Sequence, residues 1–145
     1  MRATAVLLAG LVAILAIGAP VQAQDMTISE ADRDSIRDVI ERQLAAFGRD
    51  DGAQAFSYAS PGIRRKFGTP ENFMHMVRTG YAPVYRPRRV DFRDVVVVDG
   101  VPVQKVLIVG PDGVLVMAIY PMEKQPDGDW KIAGCVLVSV AQRAL

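Results

Sequence analysis

Few residues in this chain have the types and placement that acid–base chemistry needs. Asp91 could act as a general base, with Tyr120 as the donor to a developing oxyanion. That pairing is what an isomerase or dehydratase requires. Arg89 and Arg93 flank Asp91, however, and neighbouring cations lower a carboxyl pKa and weaken the base. His75 is the only histidine, and an imidazole titrates near neutrality. Glu71, at i−4, is the one carboxylate at helical spacing from it, and such a pair equally describes an exposed helix surface. Cys135 is the only cysteine. It lies in an apolar stretch with no adjacent cation or histidine, which reads as a small buried hydrophobe rather than a reactive thiol. One His and one Cys do not make a zinc-ligand set, so neither metal nor cofactor is expected. Arg86, Arg88, Arg89 and Arg93 cluster around two prolines. They read either as an anion clamp or as a charged edge that deters strand-to-strand pairing.

These side chains must be positioned by the run from Val90 to Val138, which reads as strands joined by three turns. Asp99-Gly100 is a two-residue hairpin signal, since a type I′ turn needs positive φ at both central residues. Pro111-Asp112-Gly113 and Pro126-Asp127-Gly128 each suit a type I turn closed by a left-handed glycine. The turns set a register: Val95 opposite Gln104, Gln104 opposite Tyr120, Tyr120 opposite Gly134 and Glu123 opposite Lys131. Because side chains alternate along a strand, one face then carries Asp91, Arg93, Val95, Gln104, Val106, Ile108, Tyr120, Met122, Trp130, Ile132 and Val136. The other carries Phe92, Asp94, Lys105, Leu107, Leu115, Met117, Ile119, Glu123, Lys131, Cys135 and Leu137. Two opposed ion pairs, Asp94–Lys105 and Glu123–Lys131, place the second face toward solvent. Its apolar centre predicts homodimerisation through the outer sheet face.

Four helices should cover the first face. Ser29 caps a long amphipathic helix carrying Ile36, Val39, Ile40, Leu44 and Phe47 and stopping at Gly48, after a frayed lead-in over residues 24–28. Gln43 interrupts its stripe; a buried Gln needs partners, so it either faces the edge of a cavity or sits just outside the packed seam, and we place it at the second. Asp50 or Asp51 caps a short second helix. Ser60-Pro61 and Thr69-Pro70 start the third and fourth, which end at Gly68 and Gly80. The stretch from Tyr81 to Pro87 reads as an extended connector, because two prolines forbid a central strand.

Residues 1–23 carry a short basic start, an apolar run and a small-x-small site at Val21-Gln22-Ala23, the pattern of a secretory signal cleaved after Ala23. Residues 24–145 then form a single domain, periplasmic or secreted, with no membrane span after cleavage. Without Arg2 the 17 basic residues become 16, equal to the 16 acidic ones. A neutral chain has no global pull toward nucleic acid.

Ala59-Ser60-Pro61, Phe67-Gly68-Thr69-Pro70, Phe73-Met74, Met76-Val77, Gly80-Tyr81 and Pro83-Val84-Tyr85-Arg86-Pro87 resemble the bacterial domain of unknown function 4864 family. Gln104, Tyr120, Gly128-x-Trp130-x-Ile132 and Gly134-Cys135 extend the resemblance. It implies the α+β cone of the nuclear transport factor 2-like (cystatin-like) superfamily: N-terminal helices packed on a curved antiparallel sheet of four to five strands. That superfamily includes isomerases, dehydratases and hydrolases, and also members that only bind or scaffold, so fold does not choose the function.

Three readings follow. The first is a non-catalytic binding or accessory module, with Tyr85, Arg93, Gln104, Tyr120 and Trp130 converging on an apolar hollow that takes a small apolar or amphipathic ligand. The second is an acid–base enzyme using Asp91, Tyr120 or His75. The third is a homodimeric scaffold with a filled interior.

Overall fold

A computed structural model describes residues 27–140; the export signal read in residues 1–23 lies outside the described residues. Five helices precede the sheet: α1 (Glu30–Gly48), α2 (Gly52–Ser57), α3 (Pro61–Phe67), α4 (Pro70–Gly80) and the single turn α5 (Ala82–Tyr85). Five strands follow: β1 (Arg89–Val98), β2 (Val101–Val109), β3 (Leu115–Lys124), β4 (Trp130–Ile132) and β5 (Val136–Ser139). The chain is therefore α+β, with its helices N-terminal to a curved, unclosed antiparallel sheet.

The helix starts follow the capping logic of the sequence. Ser29, Asp51, Ser60 and Thr69 each accept a backbone N–H of the first turn, and Pro61 and Pro70 occupy first-turn positions where no donor is lost. Gly68 ends α3 at φ 76°, a left-handed conformation that glycine adopts without strain. Gly52 lets α2 begin hard against α4, since a Cβ there would lie 2.8 Å from Met74 Cγ. Two local expectations change. Ile28 is buried rather than frayed, and the connector before β1 contains the helical turn α5, which Pro83 starts rather than breaks.

The turns behave as their residues require. Asp99 and Gly100 both have positive φ, 49° and 76°, while Gly113 and Gly128 take φ 81° and 93°. The register follows: Val95 faces Gln104, Gln104 faces Tyr120 and Glu123 faces Lys131. Val106, Ile108, Ala118, Tyr120, Met122, Trp130 and Ile132 are buried beneath the helices, while Leu107, Leu115, Met117 and Ile119 lie on the outer face.

Two irregularities revise the ends of that assignment. Between Phe92 and Val95 a bulge sets both Arg93 and Asp94 against Lys105. Phe92 consequently turns inward, beneath the Arg37 guanidinium at 4.9 Å, and Asp91 and Arg93 turn outward. At the far edge β4 and β5 are separate segments. Ile119 pairs with Val136 and Ala118 with Leu137, one residue out of step with the Glu123–Lys131 register. Leu137 therefore packs toward the core, and Val136 and Val138 join the outer face. The expected Asp94–Lys105 and Glu123–Lys131 ion pairs do not form among the described residues; Lys131 Nζ donates to Ser57 O and Glu123 accepts from Gln125.

Gln104 is the internal support of the first bulge. Its side-chain Nε2 donates to Arg93 O at 2.6 Å and to Lys105 O at 2.8 Å, and the residue is buried. A bulge leaves a strand carbonyl without its ladder partner, and this amide supplies one. Gln104→Leu keeps the volume and deletes both donors, so we expect a loss of about 2 kcal/mol in urea unfolding. A variant as stable as the wild type would show that water satisfies those carbonyls instead.

Candidate functional site

Between α1, α3, α4 and the β4–β5 break lies a cavity of about 510 Å³. Its inner wall is built by Phe47 from α1, Phe73 and Val77 from α4, Val84 from α5, and Tyr120 and Ile132 from the sheet, all buried. Ile63, Lys66 and Phe67 of α3 stand on the other side, with Met76 and the segment Ala133–Val136. The aromatic wall is braced by Phe73, whose ring centroid lies 6.1, 5.4 and 5.8 Å from those of Phe47, Phe56 and Phe67. The break between β4 and β5 makes room at the sheet edge, and Tyr81 fixes it by donating its hydroxyl to Cys135 O at 3.1 Å.

Three side chains give the deep wall its polarity. Tyr120 is fully buried, and its hydroxyl finds no hydrogen-bond partner of normal geometry among the described residues. The Cys135 thiol lies near enough to perturb it, but a thiol is a weak partner for a phenol. Burial pushes the phenol well above its ordinary value and the Cys135 thiol up to about 12, so both stay protonated at neutral pH. Gln43, expected outside the packed seam, is buried and lines the cavity; its Nε2 donates to Ala55 O at 3.1 Å. Among the described residues no Asp, Glu or His lines the cavity.

Of the side chains expected to converge on one hollow, only Tyr120 reaches it. Gln104 shares the inner face but spends its amide on the bulge. Trp130 is buried at the start of α1, where Nε1 donates to Asp32 Oδ1 at 3.0 Å. Tyr85 sits outside, donating its hydroxyl to Asp50, while Arg86 stacks on its ring at 3.9 Å. Arg86 also donates to Phe47 O at 2.6 Å and pairs with Asp50 at 2.9 Å, which closes the C-terminal end of α1. The Tyr85 hydroxyl, with Arg86 beside it, holds the Asp50 carboxyl below its usual value. Arg93 and Asp91 pair with each other at 2.8 Å on the outer face, 50% and 38% exposed. They lie with Arg89 in a second hollow of about 410 Å³ over Leu107 and Leu115. Asp91 is thus on the opposite side of the sheet from Tyr120, so the two cannot share a substrate. His75 is exposed on α4 and absent from the cavity wall. The candidate acid–base groups stand apart.

Residues 29–145 match the family described as a domain of unknown function, DUF4864. The chain belongs to the DUF4864 family. No curated protein and no solved structure matches it. The segment that carries the DUF4864 likeness most specifically, Gly80 to Pro87, has a structural role here: Tyr81 pins the β4–β5 break, Val84 lines the cavity and Tyr85-Arg86 fasten α1. Among the described residues no helix is long and apolar enough to cross a membrane.

The opposite end of α1 is held by a carboxylate. Asp32 accepts from Lys124 Nζ at 2.9 Å, from Ser29 Oγ at 2.8 Å and from Trp130 Nε1. These bonds, that from Lys124 foremost, bring its pKa from 3.8 down to about 2. A carboxyl depressed in the folded state contributes stability that is complete above its unfolded value and lost as pH falls through its folded one. We therefore expect about 1 kcal/mol to disappear between pH 3.8 and about 2 after solvent screening. Asp32→Asn should lack that part of the acid slope; identical slopes in acid urea titrations would exclude Asp32 as its source.

Proposed function

We propose that this domain is a non-catalytic binding or accessory module whose cavity takes one small, mostly apolar molecule bearing a hydrogen-bond acceptor. The observation that carries the reading is the Tyr120 hydroxyl, buried on the cavity wall with no hydrogen-bond partner of normal geometry among the described residues. Leaving such a donor unpaired costs about 1–3 kcal/mol, and a ligand carbonyl or ether oxygen would recover it. Mostly apolar walls with a few placed polar groups are the usual composition of a small-molecule site, and the volume falls in the usual range. An acid–base enzyme is disfavoured because the deep wall holds Tyr120 and Cys135 protonated, and among the described residues no carboxylate or imidazole lines the cavity. The cone of nuclear transport factor 2-like proteins fits this reading, as does a periplasmic or secreted setting after cleavage at Ala23.

Native mass spectrometry of the protein purified from its own host should show one added small molecule, released on denaturation. Methyl nonanoate, an apolar chain ending in an acceptor, should raise the melting temperature of the emptied protein. An empty host-purified protein that also ignores methyl nonanoate would sink the reading.

A second proposal concerns the outer face, where Val136 and Val138, 56% and 47% exposed, enlarge the patch of Leu107, Leu115, Met117 and Ile119. We propose that two copies pair through it. Met117→Asp should then give a monomer by light scattering; an unchanged mass, whether the wild type is dimeric or monomeric, refutes pairing through this face.

A further inference from the structure

Polar groups around the cavity are sorted by position. The deep wall holds Tyr120 and Gln43 buried and Cys135 half-buried, and it carries no charge at neutral pH. The α3 side is different. Lys66 lines the cavity yet is exposed to solvent, and its Nζ lies 5.5 Å from the centroid of Phe67, another lining residue. Arg64 and Arg65 precede it in the last turn of α3, both exposed. None of the three forms an ion pair among the described residues, and no acidic side chain lines the cavity to neutralise Lys66. The mouth is therefore an apolar rim with an unopposed cation, above an interior that cannot accommodate a charge.

We infer that the ligand is an apolar acid, with its carboxylate held by Lys66 at the mouth, its chain along Phe67, Phe73 and Val77, and a neutral acceptor at the far end against the Tyr120 hydroxyl. This deepens the binding reading above and depends on it. A carboxylate at the mouth keeps part of its hydration while gaining a charge-assisted partner, whereas the same group at Tyr120 would be desolvated without a cation. The reverse orientation is thus excluded by cost. Arg64 and Arg65 add a weaker, salt-sensitive attraction for anions approaching the mouth.

Three probes of similar length separate the two ends: monomethyl azelate carries a carboxylate and an ester, methyl nonanoate only the ester, nonanoate only the carboxylate. By calorimetry at low salt, monomethyl azelate should bind tightest, by roughly threefold to tenfold over methyl nonanoate. That advantage should shrink at high salt, vanish in Lys66→Gln and survive in Lys66→Arg. Tyr120→Phe should reduce monomethyl azelate to the affinity of nonanoate. If methyl nonanoate binds with dependence on Tyr120 and the added carboxylate gains nothing, the acid is wrong and the binding reading stands. If none of the three binds, the acid is wrong, and the binding reading falls with it when the host-purified protein is also empty. Lys66-dependent binding to phosphatidylglycerol vesicles, with no uptake of the soluble acids, would also overturn the inference, because the basic rim would then be a membrane contact.

Discussion

Phe73→Ala is expected to cost the domain about 3–5 kcal/mol, the largest loss of any single truncation discussed for this chain. The ring is buried at the point where α1, α2, α3 and α4 meet, because Phe47, Phe56 and Phe67 reach it from the other three helices. Removing it loses the transfer free energy of the side chain, the cost of the void and three aromatic contacts of tilted or edge geometry. Helices of six, seven and eleven residues, such as α2, α3 and α4, do not persist without such contacts. The melting temperature should therefore fall by more than about 10 °C. Phe73→Leu, which retains most of the volume, should cost under about 2 kcal/mol. A loss below about 1 kcal/mol for the alanine variant would show that the wall collapses onto the void, and that the cavity beside it is soft rather than built.

How much of this was legible in the sequence divides along a physical line. Capping and turn chemistry act over three or four residues, so Ser29, the Asp50-Asp51 pair, Ser60 and Thr69 mark the helix starts, and Asp99-Gly100 and the two Pro-Asp-Gly turns mark the sheet and its central register. Face assignments propagate along a strand with period two, and one inserted residue inverts everything beyond it. Both departures from the expected faces lie at such points. The run Val90, Phe92, Val95 carries apolar residues at spacings of two and then three, which marked a bulge at Arg93-Asp94. Ala133-Gly134 inside an otherwise apolar run was the corresponding sign at the other edge, since a strand-interior glycine favours irregular pairing. Strict alternation carries Asp91 and Arg93 onto the inner face, whereas the bulge puts them in the outer hollow over Leu107 and Leu115.

The site itself was less legible, because hydrogen-bond partners distant in sequence decide which polar groups are free. Gln104, Trp130 and Tyr85 all looked like candidates for a ligand, yet Arg93 O, Asp32 and Asp50 consume them. Those partners lie 11, 98 and 35 residues away. Gln43 was the useful anomaly: a buried polar residue in an apolar stripe must have a reason, and here it is a cavity edge. Lys66, Met76 and Tyr81 carried no such mark, since each suits an ordinary helix surface or end.

Tyr120→Phe should move stability and binding in opposite directions, which no purely structural role for the hydroxyl would do. In the empty protein the substitution removes a buried donor that has no partner, so the variant should be more stable by about 1–2 kcal/mol in urea unfolding. Against methyl nonanoate it should bind roughly tenfold or more weakly, because the deep-wall hydroxyl that would donate to the ester is gone. The same hydroxyl would then be a liability that the fold tolerates for the sake of the ligand, as expected where binding groups are placed before the ligand arrives. Cys135→Ser separates this from a contact with the thiol: a serine hydroxyl can accept from Tyr120, so it should stabilise the empty protein and also weaken ligand binding by competing for the donor. If Tyr120→Phe instead destabilises the empty protein, the hydroxyl already has a partner in solution, and the argument for a ligand acceptor at that point fails.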